Sequence, residues 1–333
     1  MTVLLALGVL LLAACGQDGA DPAAAGSDTA GSGGESGTGE TVTLAVPIPT
    51  PYYALPSFAE QQGLFDENGV DVEVQYVQPG ALSPALAGGS LDYAVLPGPA
   101  LHDLRLQGSD VLAVANYIDR PMVALTVGPD ITSIEDLRGR SVTVGVPTSL
   151  STIFMRQVLR DAGLDPDADV TTRVIPDQPG QFSALVTGQV DAAMLSLPQT
   201  EVAQQQGMRV LLDLADSDYT WPFAAIATRA GYAEENAEQT VALLRALVAA
   251  LERWQTEPEA AKQVIAETSR IDDPALLDAS YAAVSAVLTA EPVPTEEVMG
   301  VPLEVIAAGG EDEAAEADPA DFFETRYIEE ALG

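Results

Sequence analysis

Reactive side chains are scarce in this chain. Cys15 is the only cysteine and His102 the only histidine among 333 residues. Zinc-type centres and activated nucleophiles need several such groups held together. Most metal sites and most nucleophilic catalysis are therefore excluded, and no cofactor is expected. What remains are rings, hydroxyls and amides beside strand-like runs. Tyr52 and Tyr53, after Pro51, could stack a planar molecule. Thr148, Ser149 and Ser151 open a helix-like segment. Hydroxyls there cap free N–H groups, and the same helix end could receive a carboxylate, sulfonate or phosphate. Pro97 and Gly98 follow one apolar run and Ser196 follows another. Asn116 ends a third, Gln181 follows the loop after Ile175, and Trp221 stands before a fourth. Together these residues are the expected binding set.

The elements that must position them alternate strand-like and helix-like patterns from residue 41, the signature of an α/β fold. The chain also repeats itself. Val42-Thr43-Leu44-Ala45-Val46-Pro47 returns one hundred residues later as Val142-Thr143-Val144-Gly145-Val146-Pro147. Gly63-Leu64 returns as Gly163-Leu164, and Gln78-Pro79-Gly80 as Gln178-Pro179-Gly180. With one residue deleted, Gly89-Ser90-Leu91-Asp92 matches Gly188-Gln189-Val190-Asp191. Each copy reads strand, helix, strand, short helix, strand, in short apolar strands suited to a covered parallel sheet. Residues 121–127 and 221–228 read as crossing strands. The expected fold is thus two three-layer lobes joined by two crossings. Residues 41–128 with 222–333 form the first lobe, and residues 129–221 the second. Val241, Leu244, Val248, Leu251 and Trp254 share a helical face, and this helical C-terminal region should pack on the first lobe. The acidic run 311–321 reads as a solvated loop.

In open α/β sheets ligands bind beyond the carboxyl ends of the strands, which is where the binding set lies. The charge balance narrows the partners. Lys262 is the single lysine among 14 basic residues, set against 50 acidic ones, for a formal charge of −36. Such a chain cannot neutralise a phosphate backbone, so nucleic acid is excluded as a partner. A basic-patch attachment to an anionic bilayer is excluded on the same ground.

Residues 3–14 are one apolar run, too short to span a bilayer and of the length of a signal-peptide core. Leu12-Ala13-Ala14-Cys15 closes it and resembles the bacterial lipoprotein box. That resemblance implies that residues 1–14 are removed and that Cys15 is lipidated. Residues 15–40 would then be a flexible Gly/Ala/Ser-rich tether.

The run from Pro51 through Glu60-Gln61-Gln62-Gly63-Leu64-Phe65, followed by Asn68-Gly69-Val70-Asp71-Val72, carries a wider resemblance. It is similar to the opening of the ABC-transporter solute-binding proteins that serve sulfonates, taurine, nitrate and thiamine-pyrimidine precursors. Asp136-Leu137-Arg138-Gly139, Gly188-Gln189-Val190-Asp191 and Glu257-Pro258-Glu259-Ala260-Ala261 extend it across residues 41–332. The resemblance implies a type II periplasmic-binding fold. It also implies a lipid-anchored monomer on the extracytoplasmic face of the cell membrane, delivering a small molecule to an ABC permease and its ATPase. Apart from Arg120, no basic residue falls in an expected strand-end loop. A planar heteroaromatic ligand, neutral or singly charged, is therefore favoured, with a small anion such as a sulfonate, taurine or nitrate as the alternative. Enzymes of the same fold, including thiamine-pyrimidine synthases that use a histidine and clustered cysteines, are the rival class. His102 has no Cys or second His to work with, so no enzymatic activity is expected. A sensor sharing the two-lobed body is a further rival.

Overall fold

The structure is a computed structural model that describes residues 41–147, 149–308 and 310–333. The expected signal segment, Cys15 and Thr148 lie outside the described residues. Among the described residues ten strands form two five-stranded sheets. The first sheet contains β1 (Val42–Val46), β2 (Val72–Tyr76), β3 (Tyr93–Leu96), β4 (Val111–Asn116) and β10 (Ala225–Arg229), in the order β2-β1-β3-β10-β4. The second contains β5 (Ala124–Val127), β6 (Ser141–Val144), β7 (Thr171–Val174), β8 (Ala192–Leu195) and β9 (Arg209–Asp213), in the order β7-β6-β8-β5-β9. The two orders are the same arrangement written twice.

Neither sheet is purely parallel. β10 runs antiparallel to both β3 and β4, and β5 runs antiparallel to both β8 and β9. The expectation of parallel sheets overlooked these two strands, each of which crosses from the other half and enters in the opposite sense. β5 also moves the expected boundary. It belongs to the second sheet, so the first crossing lies at residues 117–123 rather than ending at 128. Nor are all strands covered: every residue of the edge strand β7 is exposed.

The repeat is real in topology but slips in register. Leu44 faces Tyr93 in the first sheet, whereas Val142 faces Ala192 in the second. The structural counterpart of Leu44 is therefore Val142, two residues from the match suggested by sequence. A slip of two leaves every side chain on its original face, because strand side chains alternate with a period of two. The Gly63 and Gly163 pair holds. Both follow helices with positive φ, 69° and 73°, a backbone shape that glycine adopts without steric cost.

The crossings pair with each other. The Tyr117 N–H donates to the Ala224 carbonyl at 3.0 Å, the Trp221 N–H to Asp119 at 2.8 Å and the Phe223 N–H to Ile118 at 3.0 Å. A strand-like piece of the C-terminal region flanks them, with Thr289 N–H donating to the Tyr117 carbonyl at 3.0 Å. The Ala237–Thr256 helix buries Val241, Leu244, Leu251 and Trp254, and Trp254 packs edge-on against Phe58 of the Ala54–Gln61 helix. One continuous apolar cluster runs from Leu44 and Tyr53 through Phe223 and Trp221 to Phe154 and Met194. The two halves therefore share a core.

Two C-terminal features differ from expectation. The Glu296–Ala308 helix reads poorly in sequence because Pro302 lies inside it, although Met299, Pro302, Leu303 and Ile306 follow helical spacing. The acidic run is not a plain loop. It folds into a short helix (Asp312–Glu316) and a turn of 3-10 helix (Pro319–Phe322), which bury Ala314 and Phe322.

Candidate functional site

The carboxyl ends of β1, β3, β6 and β8 lead into the segments that carried the expected binding set. After β1, Pro51–Tyr53 form a turn of 3-10 helix, and all three residues are buried. Tyr53 stacks on Phe223, and Tyr52 meets the same ring edge-on at 5.7 Å. The Tyr52 hydroxyl lies close to the Leu197 backbone, just beyond β8. Burial pushes both phenols above their ordinary pKa, and for Tyr52 the carboxylate of Asp213 adds to the effect. These rings thus form a seam between the halves.

Most other members of the set are engaged within the chain. Asn116, with its amide turned to donate, reaches the carbonyls of Ile118 at 3.2 Å and Ala224 at 3.3 Å. It braces the crossings. Ser149 caps the Leu150–Asp161 helix, accepting from Thr152 N–H at 3.4 Å and donating to the Val146 carbonyl at 2.8 Å. Ser151 is buried and accepts from Gln181 Nε2 at 3.2 Å. Gln181 Nε2 also donates to the Ile175 carbonyl at 2.8 Å, while its Oε1 is buried without a partner among the described residues. Ser196 donates its N–H to Gln178 Oε1 at 3.2 Å. Gly98 donates its N–H to the Pro222 carbonyl at 2.8 Å, joining the start of the Gly98–Leu106 helix to the second crossing.

A cavity of about 450 Å³ opens where the Gly98–Leu106 helix and the loop after β6 meet the Glu296–Ala308 helix. One wall is apolar: Pro99, Pro147, Ile153, Trp221, Pro302 and Ile306. Asp103, Gln107, Glu311 and Glu313 supply its polar side chains. Trp221 is fully buried, its ring meets Phe154 edge-on at 5.2 Å, and its indole N–H has no partner among the described residues. Burial raises the pKa of Asp103, and the charge of Glu311 raises it further. Of the expected set only Trp221 lines this space, while Pro97, Gly98 and Ser149 lie next to or near lining residues. Sequence reasoning missed Asp103, Glu311 and the Glu296–Ala308 helix. The helical spacing of Met299, Pro302, Leu303 and Ile306 was the available signal for that helix.

A second cavity, of about 350 Å³, sits against the first crossing between Asp119, Arg120, Asp216 and Leu288. No loop following β1, β3, β6 or β8 reaches it. His102 lines neither cavity. It is fully buried, stacks on Phe322 at 4.5 Å, and has Nδ1 and Nε2 each 2.6 Å from a carbonyl oxygen, of Gly98 and Met299. Among the described residues no cluster of His, Cys, Asp and Glu could hold a metal, and no helix is long and apolar enough to cross a membrane.

Comparison with known proteins bears on this architecture. The periplasmic aliphatic sulphonate binding protein of Escherichia coli superposes with a TM-score of 0.73 at 20% identity, over 86% of this chain and 93% of that one. The periplasmic nitrate-binding protein of Synechocystis superposes with a TM-score of 0.69 at 17% identity, over 88% of each chain. At such identities the likeness establishes the fold, a type II periplasmic-binding arrangement. A putative thiamine biosynthesis protein of Haemophilus influenzae is 28% identical over 166 residues. That match spans about half of each protein, 47% of this chain and 52% of the other. Residues 50–261, which run from the β1 loop through both sheets and both crossings, match one family as a unit, and the chain belongs to the NMT1/THI5 like family.

Proposed function

We propose that this chain is the extracytoplasmic solute-binding component of an ABC importer. The observation that carries the reading is that the helix following β3 and the loop following β6 line one cavity, beside crossings that pair with each other. In this reading the first lobe holds β1–β4, β10 and the C-terminal helices, and the second holds β5–β9. The paired crossings act as the hinge. Closure about them buries a small molecule and presents a surface to the permease. The names of the sulphonate- and nitrate-binding neighbours and the family membership support a transport role. Lipid on Cys15 would hold the protein, as a monomer, at the membrane. The function is binding rather than catalysis, because the one histidine is enclosed between two carbonyls away from the cavity.

The solute we favour is planar and heteroaromatic, matched to the apolar wall that Pro99, Pro147 and Pro302 form. A small anion of the kind named for the structural neighbours is the competing cargo. Native mass spectrometry of the protein released from its own membranes tests the reading. A bound metabolite, with a smaller radius of gyration in X-ray scattering once that metabolite saturates the protein, is the expected result. A protein that carries no solute and keeps its dimensions with every extract fraction overturns it.

A further inference from the structure

His102 sits where two helices that wall the larger cavity meet. It is the only histidine of the chain and is fully buried. It belongs to the Gly98–Leu106 helix and lies against the Glu296–Ala308 helix. Nδ1 is 2.6 Å from the Gly98 carbonyl oxygen of its own helix, and Nε2 is 2.6 Å from the Met299 carbonyl oxygen of the other. Both partners can only accept. A neutral imidazole carries one N–H and one bare lone pair, so it satisfies one carbonyl and turns its lone pair on the other. Only the doubly protonated ring donates to both.

The surroundings bear on that proton. The imidazole stacks on Phe322 with 4.5 Å between centroids and 14° between planes, and an aromatic face suits a cation. The elements packed on the Gly98–Leu106 helix are the Glu296–Ala308 helix, the Pro319–Phe322 turn, β4 and the Pro79–Ala87 helix. They and the helix itself carry Asp103, Glu296, Glu297, Glu304 and Asp321 against Arg105, with no charged residue in β4 or the Pro79–Ala87 helix. Glu311 acts on Asp103 from outside these elements. An acidic neighbourhood favours the charged ring. Burial acts the other way and holds the pKa of His102 below the ordinary value, although both carbonyls raise it. The ring therefore takes its second proton in mildly acidic solution.

The partner helix is built to shift. Pro302 lies inside it and has no N–H to donate, so one internal hydrogen bond is missing close to Met299. Pro99 and Asp103 from one helix, and Pro302, Val305 and Ile306 from the other, line the cavity.

We propose that His102 is a proton-operated clasp on the cavity wall. Protonated, it ties the Met299 carbonyl to the Gly98–Leu106 helix; neutral, it keeps one of its two hydrogen bonds and lets the Glu296–Ala308 helix move, which changes the width of the cavity. The clasp depends on no solute, and its effect on solute capture rests on the transport reading above.

NMR of the full chain, isotope-labelled at the histidine ring nitrogens and the backbone amides, tests this directly. With one histidine present, each ring nitrogen gives a single signal. Between about pH 8.5 and pH 4.5 the ring should pass from one protonated nitrogen to two, with a midpoint below about 6.5. The amide signals of Val305 and Ile306, beyond the contact itself, should move with the same midpoint. His102→Gln, whose amide donates but does not titrate, should abolish those movements. Asp103→Asn should keep them. A ring that holds one protonation state throughout overturns the proposal, as does a titration that leaves Val305 and Ile306 unmoved. Movements that survive His102→Gln but vanish in Asp103→Asn overturn it too, by assigning the switch to the carboxylate. No step needs a solute, so the transport reading survives each of these failures.

Discussion

Tyr53 lies flat against Phe223, with ring centroids 5.3 Å apart and 10° between the planes. The face that a strand-end tyrosine would offer to a solute is already covered by another ring of the same chain. Phe223 belongs to the second crossing, so this stack ties the loop after β1 to the joint between the sheets. Tyr53→Phe should keep the stack and cost less than about 1 kcal/mol, whereas Tyr53→Ala should cost about 3–5 kcal/mol by leaving a cavity. Urea denaturation compares the two. Equal losses would mean that the hydroxyl, not the ring, holds this joint.

Tyr52 makes a different link: its buried hydroxyl lies close to the Leu197 backbone, on the side of the second sheet. Tyr52→Phe removes that polar contact without disturbing the edge contact with Phe223. The halves should then separate more readily. X-ray scattering should show a larger radius of gyration in the variant without added solute. An unchanged profile would show that the apolar seam alone keeps the halves together.

Gly98 is crowded by rings rather than by flexible chains. A Cβ there would stand 2.7 Å from Pro222 Cγ and 2.9 Å from Pro302 Cγ. Neither ring can rotate away, so Gly98→Ala should destabilise the protein by about 1–3 kcal/mol through overpacking. Thermal denaturation should show a clear drop in Tm. A Tm within one degree of the natural chain would mean that the Glu296–Ala308 helix shifts freely.

Asp191 gives a pH-dependent test. Burial works to raise its pKa, but the Ser141 N–H at 2.8 Å, the Ser141 hydroxyl at 2.7 Å and the charge of Arg140 together lower it. Because the folded pKa lies below the unfolded value of about 4, the stabilisation is complete above that value and is lost as pH falls through the folded pKa. Asp191→Ala should therefore cost about 1–3 kcal/mol at pH 7, with the difference from the natural chain shrinking in acid. Denaturation curves at pH 7 and pH 3 decide it. A difference that stays constant would place the effect in packing instead.

Much of this protein is written locally. The short apolar strands, the glycines Gly63 and Gly163 that end helices, and the paired aspartates Asp92 and Asp191 stand in the sequence as repeated motifs. Asp92 accepts from Thr43 as Asp191 accepts from Ser141, so each repeat carries its own strand-anchoring carboxylate. The two repeated strand–helix units were legible for this reason: each depends on propensity and pattern within a short stretch of chain.

Tertiary structure decided the rest, because its causes act between distant residues. The sense in which β5 and β10 enter their sheets depends on which half the chain has just left, and an apolar run carries no direction. The two-residue slip between the repeats leaves the pleat unchanged, so periodicity could not detect it. The fate of Tyr52, Tyr53 and Asn116 turned on partners in the crossings. A tyrosine beside a strand end looks the same in sequence whether its neighbour is a solute or Phe223. The cavity is the clearest case: Asp103, Pro147, Trp221 and Glu311 face one space only because folding brings together segments that no local pattern connects.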